Sequence, residues 1–130
     1  MANNMNVTLD TTKQALDVHD GGNENHVNQS PNPQTISWQL TGNAASGSFN
    51  AIGGTNPGFA WVGNNPGSIF GTPQVVANGN KITITDTNDS TSTTGTWTYQ
   101  LWATIDDQEY ATVASLGPTE TTTNPIIKNN

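Results

Sequence analysis

Between Gly95 and Ile105 the chain alternates large apolar and polar side chains without a break. Trp97, Tyr99, Leu101, Ala103 and Ile105 fall on one face of an extended strand, and Thr96, Thr98, Gln100 and Thr104 fall on the other. Thr35–Leu40 repeats the pattern with Ile36, Trp38 and Leu40 inward, and Lys81–Asp86 does so with Ile82 and Ile84. Shorter strands are predicted at Phe59–Val62, Gln74–Ala77 and Glu109–Ala114, with Asn6–Asp10 and Gln14–His19 as two parts of a first edge strand. Asn124–Lys128 completes the set as a last edge strand with Pro125 at its start, where a missing N–H is tolerated. Asn78-Gly79 is a hairpin signal of type I′, and Asp106-Asp107 forms another tight turn. The segments His19–Pro33, Thr41–Gly58, Gly63–Thr72 and Thr87–Thr94 are rich in turn-forming residues and are read as loops.

No stretch of ten residues or more carries apolar positions at helical spacing, so the class is all-β. The economical arrangement is a sandwich of about seven to nine antiparallel strands. Its sheets face each other through Trp38, Trp61, Ile82, Ile84, Trp97, Tyr99 and Leu101. Residues 1–130 form a single domain, with loose ends at 1–5 and in the Pro/Thr-rich 117–130.

Composition narrows the function. Only 10% of the residues are charged, and the net charge of −7 sets ten acids against three lysines, Lys13, Lys81 and Lys128, with no arginine. No basic patch can be built for phosphate, which excludes nucleic acid as a partner and disfavours anionic membranes. The absence of cysteine removes disulfides, thiol nucleophiles and thiolate metal sites together. Met1–Thr12 has neither a basic nor an apolar leader region, so the expectation is synthesis in the cytoplasm followed by assembly into a particle or inclusion.

Lys81-Ile-Thr-Ile-Thr-Asp86 followed by Gly95-Thr-Trp-Thr-Tyr-Gln-Leu101 resembles the E and F strands of immunoglobulin-like domains. The resemblance implies that Tyr99 is the corner tyrosine and that Leu101 stands where the second cysteine of the fold would be. A cysteine-free sequence is similar to the bacterial and viral branch of that fold. The strand Ile36-Ser-Trp-Gln-Leu40 and the tail Asn124-Pro-Ile-Ile-Lys-Asn129 also resemble the DP-EP and inclusion-body protein group. That likeness implies a non-enzymatic immunoglobulin-like sandwich and supplies no active site.

Residues that carry chemistry are few. Asp106, Asp107 and Glu109 are the weak candidates for a calcium site, since Ca²⁺ gathers several oxygen ligands; a local turn explains the two aspartates equally. His19 and His26 with Asp17, Asp20 and Glu24 make the one His/carboxylate cluster, in a loop that fixes no zinc geometry. No Gly-x-Ser-x-Gly elbow exists, and no catalytic residue, metal or cofactor is assigned. Trp102 sits on the Thr/Gln face of its strand, either exposed as a stacking surface or covered by the Gly63–Thr72 loop with Ile69 and Phe70. Trp61 is the second stacking candidate.

The expectation is a structural or interaction module that self-associates or docks on a larger assembly such as an inclusion, fibre or virion surface. Edges without lysine and a tail able to add a strand motivate it. The alternative is a carbohydrate-binding module using Trp102 or Trp61.

Overall fold

The computed structural model describes residues 4–9, 15–18, 24–63, 65–112 and 125–130. Eleven strands run in chain order: β1 (Asn4–Leu9), β2 (Leu16–Val18), β3 (Glu24–Val27), β4 (Gln34–Leu40), β5 (Ser48–Phe49), β6 (Phe59–Val62), β7 (Gln74–Val76), β8 (Lys81–Asp86), β9 (Gly95–Ile105), β10 (Gln108–Ala111) and β11 (Ile126–Asn129). One sheet has the order β2-β1-β4-β8-β7. The other is organised on β9, which β5 and β6 join along one edge and β10 and β11 along the opposite edge, with β3 beyond β11. Among the described residues, no helix is long and apolar enough to cross a membrane.

Cross-strand register explains which side chains are buried. Met5 lies opposite Trp38, Val7 opposite Leu40, Ile36 opposite Ile84 and Trp38 opposite Ile82, so the first sheet presents one continuous apolar face. On the second sheet Phe59 opposes Leu101, Trp61 opposes Tyr99 and Phe49 opposes Ala103. The two faces meet in one core to which every one of the seven residues expected to join the sheets belongs or packs. At its centre Trp38, Phe59 and Tyr99 lie with ring centroids 5.1 to 5.3 Å apart, Phe59 and Tyr99 stacked at 9°. Contacts continue through Trp61 and Phe70 to Trp97. The Trp38 indole N–H donates to the Tyr99 hydroxyl at 2.8 Å, joining β4 of one sheet to β9 of the other.

Several expectations are corrected. The sheets are mixed rather than purely antiparallel, because β1 runs parallel to β4 and β11 parallel to β3. The strands exceed nine because each edge of β9 is shared by two short strands: β5 and β6 follow it with segment 51–57 looping out between them. β3 lies where a loop was expected. It carries one apolar residue, Val27, and owes its place to backbone pairing with β11, a contribution that apolar periodicity does not register. β1 and β2 form an antiparallel pair instead of one edge strand, and β1 is interior, between β2 and β4. Asn4 and buried Met5 already belong to β1, and β11 is interior between β9 and β3. The Tyr99 hydroxyl accepts from the indole of the partner sheet.

Tyr99→Phe leaves the enclosed Trp38 N–H without an acceptor while keeping the ring contacts. The expected result is a loss of about 1–3 kcal/mol in denaturant unfolding with an unchanged m-value. A loss below about 0.5 kcal/mol would show that the bond contributes little.

Candidate functional site

The outward face of β9 presents Thr98, Gln100, Trp102 and Thr104, all half-buried. A tight turn at Asp106 and Asp107, with φ of 52° and 66°, folds β10 back so that Glu109 lies opposite Thr104. On the other edge the Asn50 amide donates to the Trp102 carbonyl at 3.1 Å, and the Trp102 amide donates to the Gly58 carbonyl at 3.2 Å. The chain thus leaves β9 at Asn50 and rejoins it at Gly58, both next to Trp102. Position 58 must be glycine for this closure, because a Cβ there would collide with the Asn50 carbonyl.

Beside Trp102 the side chains of Asn50, Asn56, Thr104 and Glu109 form a connected network. Asn50 Nδ2 donates to Glu109 Oε2 at 2.7 Å and to the Asn56 carbonyl at 3.0 Å, while Thr104 Oγ1 donates to Asn50 Oδ1 at 2.7 Å. Asn56 Nδ2 lies 3.4 Å from Glu109 Oε1, and the Trp102 indole N–H reaches Gln100 Oε1 at 3.2 Å. The arrangement sets one indole beside fixed amide, hydroxyl and carboxylate groups, the chemistry that stacks on and hydrogen-bonds a polyhydroxylated ligand.

The acids of the proposed calcium set have separate duties. Asp106 and Asp107 are exposed and hold left-handed backbone in the turn, whereas Glu109 accepts from Asn50 and Asn56. Among the described residues, no group of three or more His, Cys, Asp or Glu is placed to hold a metal ion. Of the His/carboxylate cluster, Asp17 lies on β2 and His26 on β3, in different sheets; His19, Asp20 and the Glu24 side chain lie outside the description.

Trp61 is on the other side of the β9 sheet from Trp102. It is half-buried at the rim of the core between Phe59, at 5.0 Å, and Phe70, at 4.9 Å, so the two tryptophans make no common platform. Phe70, expected as a cover for Trp102, instead inserts between Trp61 and Trp97. Beside Trp61 is Val62, 40% exposed and the one exposed large hydrophobic residue among those described. Both sit on β6, which pairs with β9 on one side and with no other described strand.

Apolar periodicity does not register one feature of this edge that the sequence holds. Between His26 and Lys81 there is no Asp, Glu, Lys, Arg or His. That run supplies β4 to β7, so the edges formed by β6 and β7 carry no charge, while edges β2, β3 and β10 carry Asp17, His26 and Glu109. Tracking ionisable positions instead of apolar ones would have found it.

No protein-family model matches this chain, and no curated protein matches its sequence.

Gly58→Ala forces the returning chain away from Asn50 and is expected to cost about 1–3 kcal/mol. It should also shift the Trp102 backbone amide resonance, because the Gly58 carbonyl that accepts from it moves. A variant with native stability and an unmoved resonance would show that the closure tolerates a side chain.

Proposed function

We propose that this chain is a non-enzymatic, immunoglobulin-like module that pairs through its β6 edge with a second copy, as a unit of a larger assembly. The observation that carries the proposal is the uncharged β6 edge bearing exposed Val62 and half-buried Trp61. Elsewhere a net charge of −7 makes two copies repel; along this edge no like charges meet. Antiparallel pairing of β6 with its own copy is self-complementary, as a two-fold interface requires, and the free backbone groups of an edge strand supply the bonds. The immunoglobulin-like assignment is supported by strand order: β1-β4-β8-β7 opposite β6-β9-β10 follows A-B-E-D over C-F-G. The parallel β1–β4 pair and the added β3 and β11 depart from that plan.

Light scattering after size exclusion should show the mass rising toward a dimer with concentration. Val62→Lys should return it to monomer with stability changed by no more than about 0.5 kcal/mol, because the position is exposed. A strict monomer at high concentration that also binds no particle overturns the proposal.

The polar network beside Trp102 favours a second reading, glycan binding with the indole as stacking surface. Oligosaccharides should then perturb the tryptophan fluorescence of the native chain and leave that of Trp102→Ala unchanged. Silence on a glycan array together with unaltered fluorescence removes this second reading.

A further inference from the structure

The end of the sandwich where β8 meets β11 is polar and closed to water. Asp86, the last residue of β8, is 0% exposed, and Asn129 of β11 is 2% exposed. Asn129 Nδ2 donates to Asp86 Oδ1 at 3.0 Å and to the Thr93 carbonyl at 2.9 Å. Among the described residues, Asp86 Oδ2 and Asn129 Oδ1 have no hydrogen-bond partner, and neither does Asn25 Nδ2 of β3. The nearby Asn88 is differently placed: its Nδ2 donates to the Val27 and Asn130 carbonyls and its Oδ1 accepts from Thr93 Oγ1.

Two of these three orphaned atoms belong to the same pair of side chains. A carboxylic acid and a primary amide join by two hydrogen bonds, amide N–H to acid carbonyl and acid O–H to amide carbonyl. The first of these is present. The second would link Asp86 Oδ2 to Asn129 Oδ1, and it requires a proton on Asp86 Oδ2, since a carboxylate and an amide oxygen are both acceptors. We propose that Asp86 and Asn129 form a proton-closed clip that fastens the C-terminal strand β11 of one sheet to β8 of the other.

The surroundings leave proton occupancy to this pair. Asp86 is opposed by Gln34 on β4, bridged to Phe70, and contacted through Asn129 from β11, all uncharged. Of the ionisable residues on the adjoining segments, Asp89, His26 and Lys128 are exposed, and Lys81 lies at the far end of β8. Burial pushes the Asp86 carboxyl up from 3.8 to about 6, against the downward pull of the Asn129 hydrogen bond. Because the folded value is the higher one, the native state holds the extra proton. The stabilisation is complete below about 3.8 and is lost as pH rises through about 6.

The test follows the carboxyl and the strand together in the native chain. The Asp86 side-chain carbon resonance should titrate near pH 6, and the Asn129 side-chain amide should move with the same midpoint. Amide exchange over Ile126–Asn129, corrected for intrinsic rate, should slow by about tenfold between pH 7.5 and 5. In Asp86→Asn the new amide donates at every pH, so exchange should be slow and flat across that range. In Asn129→Ala the carboxyl should still titrate while the pH step in β11 vanishes. An Asp86 midpoint below about 4.5 in the native chain overturns the proposal even if Asp86→Asn fails to fold. So does a pH step that persists in Asp86→Asn or in Asn129→Ala.

Discussion

An indole N–H enclosed in an apolar core has to be donated to something, or the core loses the free energy that enclosure gained. Among the described residues the Trp38 N–H has one acceptor, the Tyr99 hydroxyl on the opposite sheet, and both residues are completely buried. That single requirement fixes the rotation of Trp38, the depth of Tyr99 and the separation of β4 from β9 at the middle of the molecule. Phe59 fills the remaining space by lying parallel to Tyr99, which is why β6 must pair with β9 in the register that sets Phe59 against Leu101 and Trp61 against Tyr99. The position of β6, and with it the uncharged edge, follows from a buried hydrogen bond made by the strand beside it.

Strands whose side chains decide their burial were readable from the sequence; strands held by their backbones were not. β8 and β9 begin and end where alternation placed them, because each alternates β-branched or aromatic residues with threonine over six or more positions. β3 and β5 were missed for opposite reasons. β3 places Asn25 inside, buried and polar, so its pattern looks like a loop. β5 is two residues long, too short for any period to show. Parallel pairing was also hidden, since alternation along a strand carries no information about the direction of its neighbour. Of the site, Trp102 was legible as the large apolar residue on the wrong face of β9. The nearby network of Asn50, Asn56 and Glu109 was not, because only the looped-out 51–57 and the Asp106-Asp107 turn bring those residues together.

Charge is distributed in the molecule as deliberately as apolar surface. Every acid and every lysine lies outside the run from 27 to 80, so the half of the chain that builds β4 to β7 contributes nothing to the net charge of −7. Mutual repulsion between copies is then directional: strong where acids lie and absent along β6 and β7. An uncharged edge on an acidic protein limits the geometries in which two copies can approach without bringing like charges together.

The two faces of β9 are bound to each other by the pleat. Tyr99, Leu101 and Ala103 are enclosed, so Gln100, Trp102 and Thr104 must stand outward, and a slip of one residue would exchange the sets. Such a slip would bring Gln100 and Thr104 into the core and strand the Trp38 N–H, a cost of several kcal/mol that no surface contact offsets. Trp102 therefore has no freedom to withdraw along its strand while the sandwich remains folded. Its backbone is paired on one side with the Gly58 closure and on the other with Ala111 of β10, so its place on the outward face is set by the same ladder that builds the core beneath it.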